Sequence, residues 1–198
     1  MNLAKVTFAL LVAAMAGCRS APAHYYSLTP RPQASSGHLD APQSKVKVAS
    51  IPASADRLQL VVHQGNEISI LENHQWIAPL TNEIETALSI ELFRRLNDDS
   101  GESAARSVAD WSVRVSVLQL EAYPGDRVFI VATWIAKQGA PSSAMAITCR
   151  SEISESIGPG VDAMVDGYRA LISKVADQIA MSISARTVGS GVMACRPR

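Results

Sequence analysis

The stretch Trp111-Ser112-Val113-Arg114-Val115-Ser116-Val117, with the turn Tyr123-Pro124-Gly125-Asp126 and the run Arg127–Lys137 after it, decides the fold. Trp111, Val113, Val115 and Val117 share one side of a strand, and Ser112, Arg114 and Ser116 share the other. This period of two marks a sheet with one buried face. Arg127–Lys137 is apolar on both faces, which predicts a central strand. A third strand, Ala144–Ile153, follows the breaker Gly139-Ala140-Pro141. Beyond Gly158-Pro159-Gly160 the period changes. Val161, Met164, Val165, Tyr168, Leu171, Ile172, Val175, Ile179 and Ile183 recur at helical spacing, with Asp162, Asp166, Arg169, Lys174 and Asp177 on the opposite face.

Upstream, the same order of elements is read. Lys45–Ile51 alternates like a strand and ends at Pro52. Leu58–Val62 and Glu67–Leu71 flank Gln64-Gly65-Asn66, a hairpin signal. Leu80, Ile84, Leu88, Leu92 and Leu96 recur every four residues with Ala87 beside them, a helix that Pro79 starts and Asn97-Asp98-Asp99-Ser100-Gly101 stops. The expected class is therefore α+β: two βββα-like halves, with largely antiparallel sheet carrying two amphipathic helices. That domain spans residues 45–186, and the Gly-rich residues 187–198 read as a flexible tail.

Composition sets wide limits. The chain has 198 residues, 47% hydrophobic and 18% charged, with 18 basic and 18 acidic side chains and no net charge. There is no basic footprint for nucleic acid. The apolar fraction excludes a wholly disordered chain, and 3 cysteines are too few for a disulfide-framed miniprotein.

Reactive constellations are not found. His24, His38, His63 and His74 have no metal-ligand spacing, and Cys149 and Cys195 lack a Cys-x-x-Cys partner. Gly189-Ser190-Gly191 lies in the tail, without the strand a nucleophile elbow needs. Glu83, Glu85 and Glu91 read as the solvated face of their helix. No catalytic residue, metal or cofactor is expected, and the chain is read as a non-enzyme.

The N-terminus carries a second message. Lys5 precedes an apolar run from Val6 to Ala16, too short to span a bilayer and of the length of a secretory signal core. The run ends in Met15-Ala16-Gly17-Cys18, which resembles the bacterial lipobox. Residues 1–17 are then a lipoprotein signal peptide and Cys18 the site of N-acyl and S-diacylglycerol modification. The alternative is ordinary cleavage after Ala16 or Gly17. Arg19 in place of Asp favours, by the same resemblance, the outer membrane. Residues 18–44, rich in Pro, read as a lipid anchor and tether. Within them Tyr25-Tyr26-Ser27-Leu28 is an apolar cluster that either packs back as a short edge strand or contacts a partner. In an oxidising periplasm Cys149 and Cys195 either bridge, pinning the tail to the third strand of the second half, or both stay reduced.

These features together resemble the PqiC/YmbA family of ABC-type transport auxiliary lipoproteins. The resemblance runs from Cys18 and Tyr25-Tyr26-Ser27-Leu28 through Val46-x-Val48 and Ile51-Pro52 to Trp76-Ile77-Ala78-Pro79-Leu80. It continues in Val113-x-Val115-x-Val117, Trp134 and the closing helix around Tyr168. It implies a non-enzymatic outer-membrane subunit that docks an MCE-domain transport protein, as a ring of identical subunits, in lipid transport between membranes. Tyr25, Tyr26, Leu28, Trp76, Pro79 and Leu80 are the candidate contacts with the partner or between subunits. A periplasmic carrier that itself binds lipid is the competing expectation.

Overall fold

The computed structural model describes residues 21–29, 45–98, 111–138 and 145–187. The signal segment, Cys18, most of the expected tether, Cys195 and residues 188–198 lie outside the described residues. Seven strands and two helices follow in the order β1 (His24–Tyr26), β2 (Lys45–Ser50), β3 (Gln59–Gln64), β4 (Glu67–Trp76), α1 (Leu80–Asp98), β5 (Trp111–Tyr123), β6 (Arg127–Gln138), β7 (Met145–Ser156) and α2 (Val161–Thr187). The α+β class holds, with mostly antiparallel sheets and both helices packed on them.

The strands form two sheets, β1-β4-β3 and β2-β5-β6-β7. β2 pairs parallel with β5, so the strand that opens the first half joins the sheet of the second. β6 is central, and its inward Val128, Ile130, Ala132, Trp134 and Ala136 are almost wholly buried. The alternation of β5 breaks after Val117 because a bulge lies between Val117 and Gln119. Leu118 is left exposed, while Leu120 and Ala122 return to the core. Such an extra residue shifts the facing of everything after it.

Two turns have glycine where the backbone demands it. Gly65 (φ 62°) lies in the β3–β4 turn and Gly125 (φ 80°) in the β5–β6 turn, a left-handed region that a side chain disfavours.

One core lies between sheet and helices. α1 presents Leu80, Ile84, Leu88 and Leu92, all nearly inaccessible, and α2 presents Met164, Leu171, Val175 and Ile179. Each such side chain contributes roughly 1.5–3 kcal/mol by leaving water. Buried polar groups fix the register of α2 on the sheet. Trp134 Nε1 donates to Ser151 Oγ at 3.0 Å, and Ser151 Oγ donates to Gln178 Oε1 at 2.5 Å. Between the helices, Arg95 on α1 binds Asp177 and its neighbour Glu91, and donates to Ser173 Oγ at 2.7 Å. Burial works against the Arg95 charge. Hydrogen bonds to Asp177 and Glu91 outweigh it and hold the guanidinium more firmly protonated than usual.

Candidate functional site at the entry of the chain into the domain

Residues 24–28, read as part of a tether, are built into the domain. β1 pairs parallel with the end of β4, His24 opposite His74, Tyr25 opposite Gln75 and Tyr26 opposite Trp76. Ile77 N–H donates to Tyr26 O at 2.8 Å and extends the ladder by one step. The Pro-rich stretch up to residue 44 therefore joins β1 to β2 across two sheets instead of preceding the fold.

Beyond β1 the chain is clasped. Ser27 Oγ and Leu28 N both donate to Glu83 Oε2 at 2.7 Å. Arg169 on α2 donates to Ser27 O through Nε at 3.1 Å and Nη2 at 2.6 Å. Leu28, 2% exposed, lines a recess with Ala87 and Glu91 of α1 and Arg169, Ile172 and Ser173 of α2. One short segment thus ties the start of the domain to both helices.

The solvated-face reading of the three glutamates fails at Glu83, which is 5% exposed. It sits in the first turn of α1, four residues before the buried Ala87, so the helix turns it inward toward Ser27 and Leu28. Glu85 is also engaged, accepting from Val48 N at 2.9 Å and Lys47 Nζ at 3.3 Å. Glu91 holds Arg95. Glu83 and Arg169 are the residues that pattern reading missed. The available signal was the i, i+4 row Glu83–Ala87 flanking the apolar stripe.

The six candidate contacts separate by burial. Leu28 (2%), Trp76 (3%) and Leu80 (3%) are core residues and offer no surface in this fold. Their apolar bulk fills the space beneath β1: the Trp76 ring tilts against Tyr168 of α2, centroids 6.0 Å apart. Tyr26 is half-buried, and Tyr25 and Pro79 are exposed.

On the side of β1 that faces the start of α2 lies an open recess of about 440 Å³ lined by His24, Tyr25, Tyr26, His74, Val161 and Asp162. The His24 and His74 rings stack at 5.0 Å. Tyr26 Oη lies 2.9 Å from His74 Nδ1. Burial, then the Asp162 charge, pushes the Tyr26 phenol above its ordinary pKa. Among the described residues no group of three His, Cys, Asp or Glu side chains could hold a metal ion. No described helix is long and apolar enough to cross a membrane. Cys149, buried on β7 opposite Trp134, is disulfide-bonded.

The described body is an α+β domain whose entry segment is clasped by two helices, a build suited to holding and presenting a surface. The model of the ABC-type transport auxiliary lipoprotein component family matches residues 26–180, and the chain belongs to that family. No curated protein matches it. Among solved structures it is similar to an uncharacterised protein at 18% identity and a TM-score of 0.55, covering 82% of this chain and 99% of that one. It is similar also to a Xanthomonas campestris protein of the DUF330 family at 14% identity and a TM-score of 0.51, covering 85% and 100%. At these identities the likeness is one of fold.

Proposed function

We propose that this chain is the outer-membrane lipoprotein subunit of an MCE/ABC-type lipid transport system, docking the periplasm-spanning MCE partner without chemistry of its own. The observation that carries the reading is the family match over 26–180, which starts within β1, eight residues after Cys18. N-acyl and S-diacylglycerol modification of Cys18 would hold the chain in the membrane far more firmly than one acyl chain can. The Glu83–Ser27 clasp then passes that attachment straight to the helices. Strand edges serve assembly: β2 and β7 are the outer strands of the four-stranded sheet, and an edge recruits another chain through backbone hydrogen bonds.

The carrier alternative finds less support, because Trp111, Trp134, Leu92, Met164 and Ile179 fill the space between sheet and helices. Purification of the lipidated protein from membranes, with native mass and partner identification, tests the proposal. An MCE-domain protein held to a ring of this chain is expected. A lone monomer with co-purifying lipid would favour the carrier instead.

A further inference from the structure

We infer that the outer face of the three-stranded sheet β1-β4-β3 rests on the surface of the lipid bilayer. The inference relies on the anchoring of Cys18 proposed above.

The face is defined by register. Along β3, Leu60 and Val62 point into the core, so Val61 and His63 share the other face. Directly paired residues lie on the same side of a sheet. Ile70 pairs with Val61 and Ile68 with His63, and both therefore belong to that face. Past a register shift between Gln59 and Leu60, Trp76 is buried against Tyr168, so its neighbour Gln75 faces outward, and the pairing of Gln75 with Tyr25 brings Tyr25 to that side as well. Ile77, two residues beyond Gln75 in the continued ladder, completes the set. Tyr25 (64% exposed), Ile77 (67%), Ile68 (52%) and Ile70 (40%) thus stand on one surface. The other exposed large apolar side chains among the described residues are Leu58, Leu118 and Met181. Apolar side chains gathered on one face mark a contact site, whereas singly scattered ones need no explanation.

Chain length selects the occupant. Cys18 lies three residues before Ala21, where the description of this segment begins, so its Cα is within about 11 Å of Ala21 however the chain runs. Six residue steps reach His24, at most about 22 Å. The anchor therefore cannot carry this sheet far from the headgroups. Tyr beside aliphatic side chains is the composition favoured at a membrane–water boundary, where the ring buries its apolar body and keeps its hydroxyl wet.

The test uses full-length protein purified with its anchor and reconstituted into phosphatidylcholine vesicles whose acyl chains are brominated or plain. The native Trp76, Trp111 and Trp134 are buried and supply a constant background. Ile77→Trp and Ile68→Trp place a reporter on the proposed face, and Met181→Trp places one on the exposed side of α2. Bromination is expected to abolish most of the emission added at 77 and 68 and to spare that added at 181. Incorporation of labelled palmitate, and its loss in Cys18→Ser, is scored on the same preparations. Labelled protein with no preferential quenching at 77 and 68 overturns the bilayer contact and leaves the anchoring intact. Unlabelled protein removes the anchoring and the contact together. Protection of both reporters only on addition of the MCE partner also overturns the inference, and assigns the face to protein.

Discussion

Ser27 donates its hydroxyl to the Glu83 carboxylate at 2.7 Å, joining the strand that opens the domain to the first turn of α1. The same oxygen takes the Leu28 N–H, so one buried carboxylate satisfies two donors that reach it from outside its own helix. Removing it leaves the Leu28 amide buried and without its acceptor. Glu83→Ala is expected to cost about 2 kcal/mol, the range for hydrogen bonds to a charged group. Glu83→Gln should cost less. Urea denaturation of both variants checks this, and equal stability of Glu83→Ala and wild type would refute the clasp.

Gly167 permits α2 to approach the sheet. A Cβ there would stand 2.5 Å from Ile157 Cγ2 and 2.8 Å from Val128 Cγ2. In an exposed helix Gly→Ala gains up to about 1 kcal/mol. At this position overpacking reverses the sign, and Gly167→Ala is expected to destabilise by about 1–3 kcal/mol. Combination with Val128→Ala should recover part of the loss. Thermal unfolding of the two single variants and the double variant measures the coupling.

Cys149 and Cys195 are expected to be bridged. Closing that span would constrain the unfolded chain, and Cys195→Ser should then lower stability by about 2–4 kcal/mol. Peptide mapping without reductant identifies the linked pair. Free thiol at 195 in the protein purified without reductant would disprove it.

Burial, followed by the charge of Glu121, raises the Tyr168 phenol far above its ordinary value. The folded state therefore holds this proton when the unfolded chain has begun to release it, near pH 10. The contribution is complete below about pH 10 and is lost as pH climbs toward the folded value. Stability should fall steeply above about pH 10, and Tyr168→Phe should flatten that fall. Denaturation midpoints between pH 8 and 11 give the slope.

How much of this was legible varied with the kind of signal. The strict alternation from Trp111 to Val117 and the four-residue rhythm from Leu80 to Leu96 state their elements directly, because burial on one face forces the period. β1 was ambiguous, since three residues carry too little pattern to separate a strand from a contact segment. Parallel pairing of β2 with β5 joins residues more than sixty apart, and nothing local in Lys45–Ser50 announces it. At the site, chemistry misled where topology ruled. Glu83 looked solvated by residue type, and only the arrival of Ser27 and Leu28 from elsewhere makes its burial affordable.

The parallel alignment of β1 with β4 also has a mechanical side. Tension drawn through the residues ahead of His24 runs along the strand axis, so the rungs to β4 resist in shear and share the load. Opening them one at a time would need a pull across the strand. Behind them stand the Glu83 and Arg169 bonds to Ser27 and the Leu28 plug, a second stop that hands the remaining load to both helices. A chain pulled from its N-terminal side is thus reinforced at the point where force enters the domain.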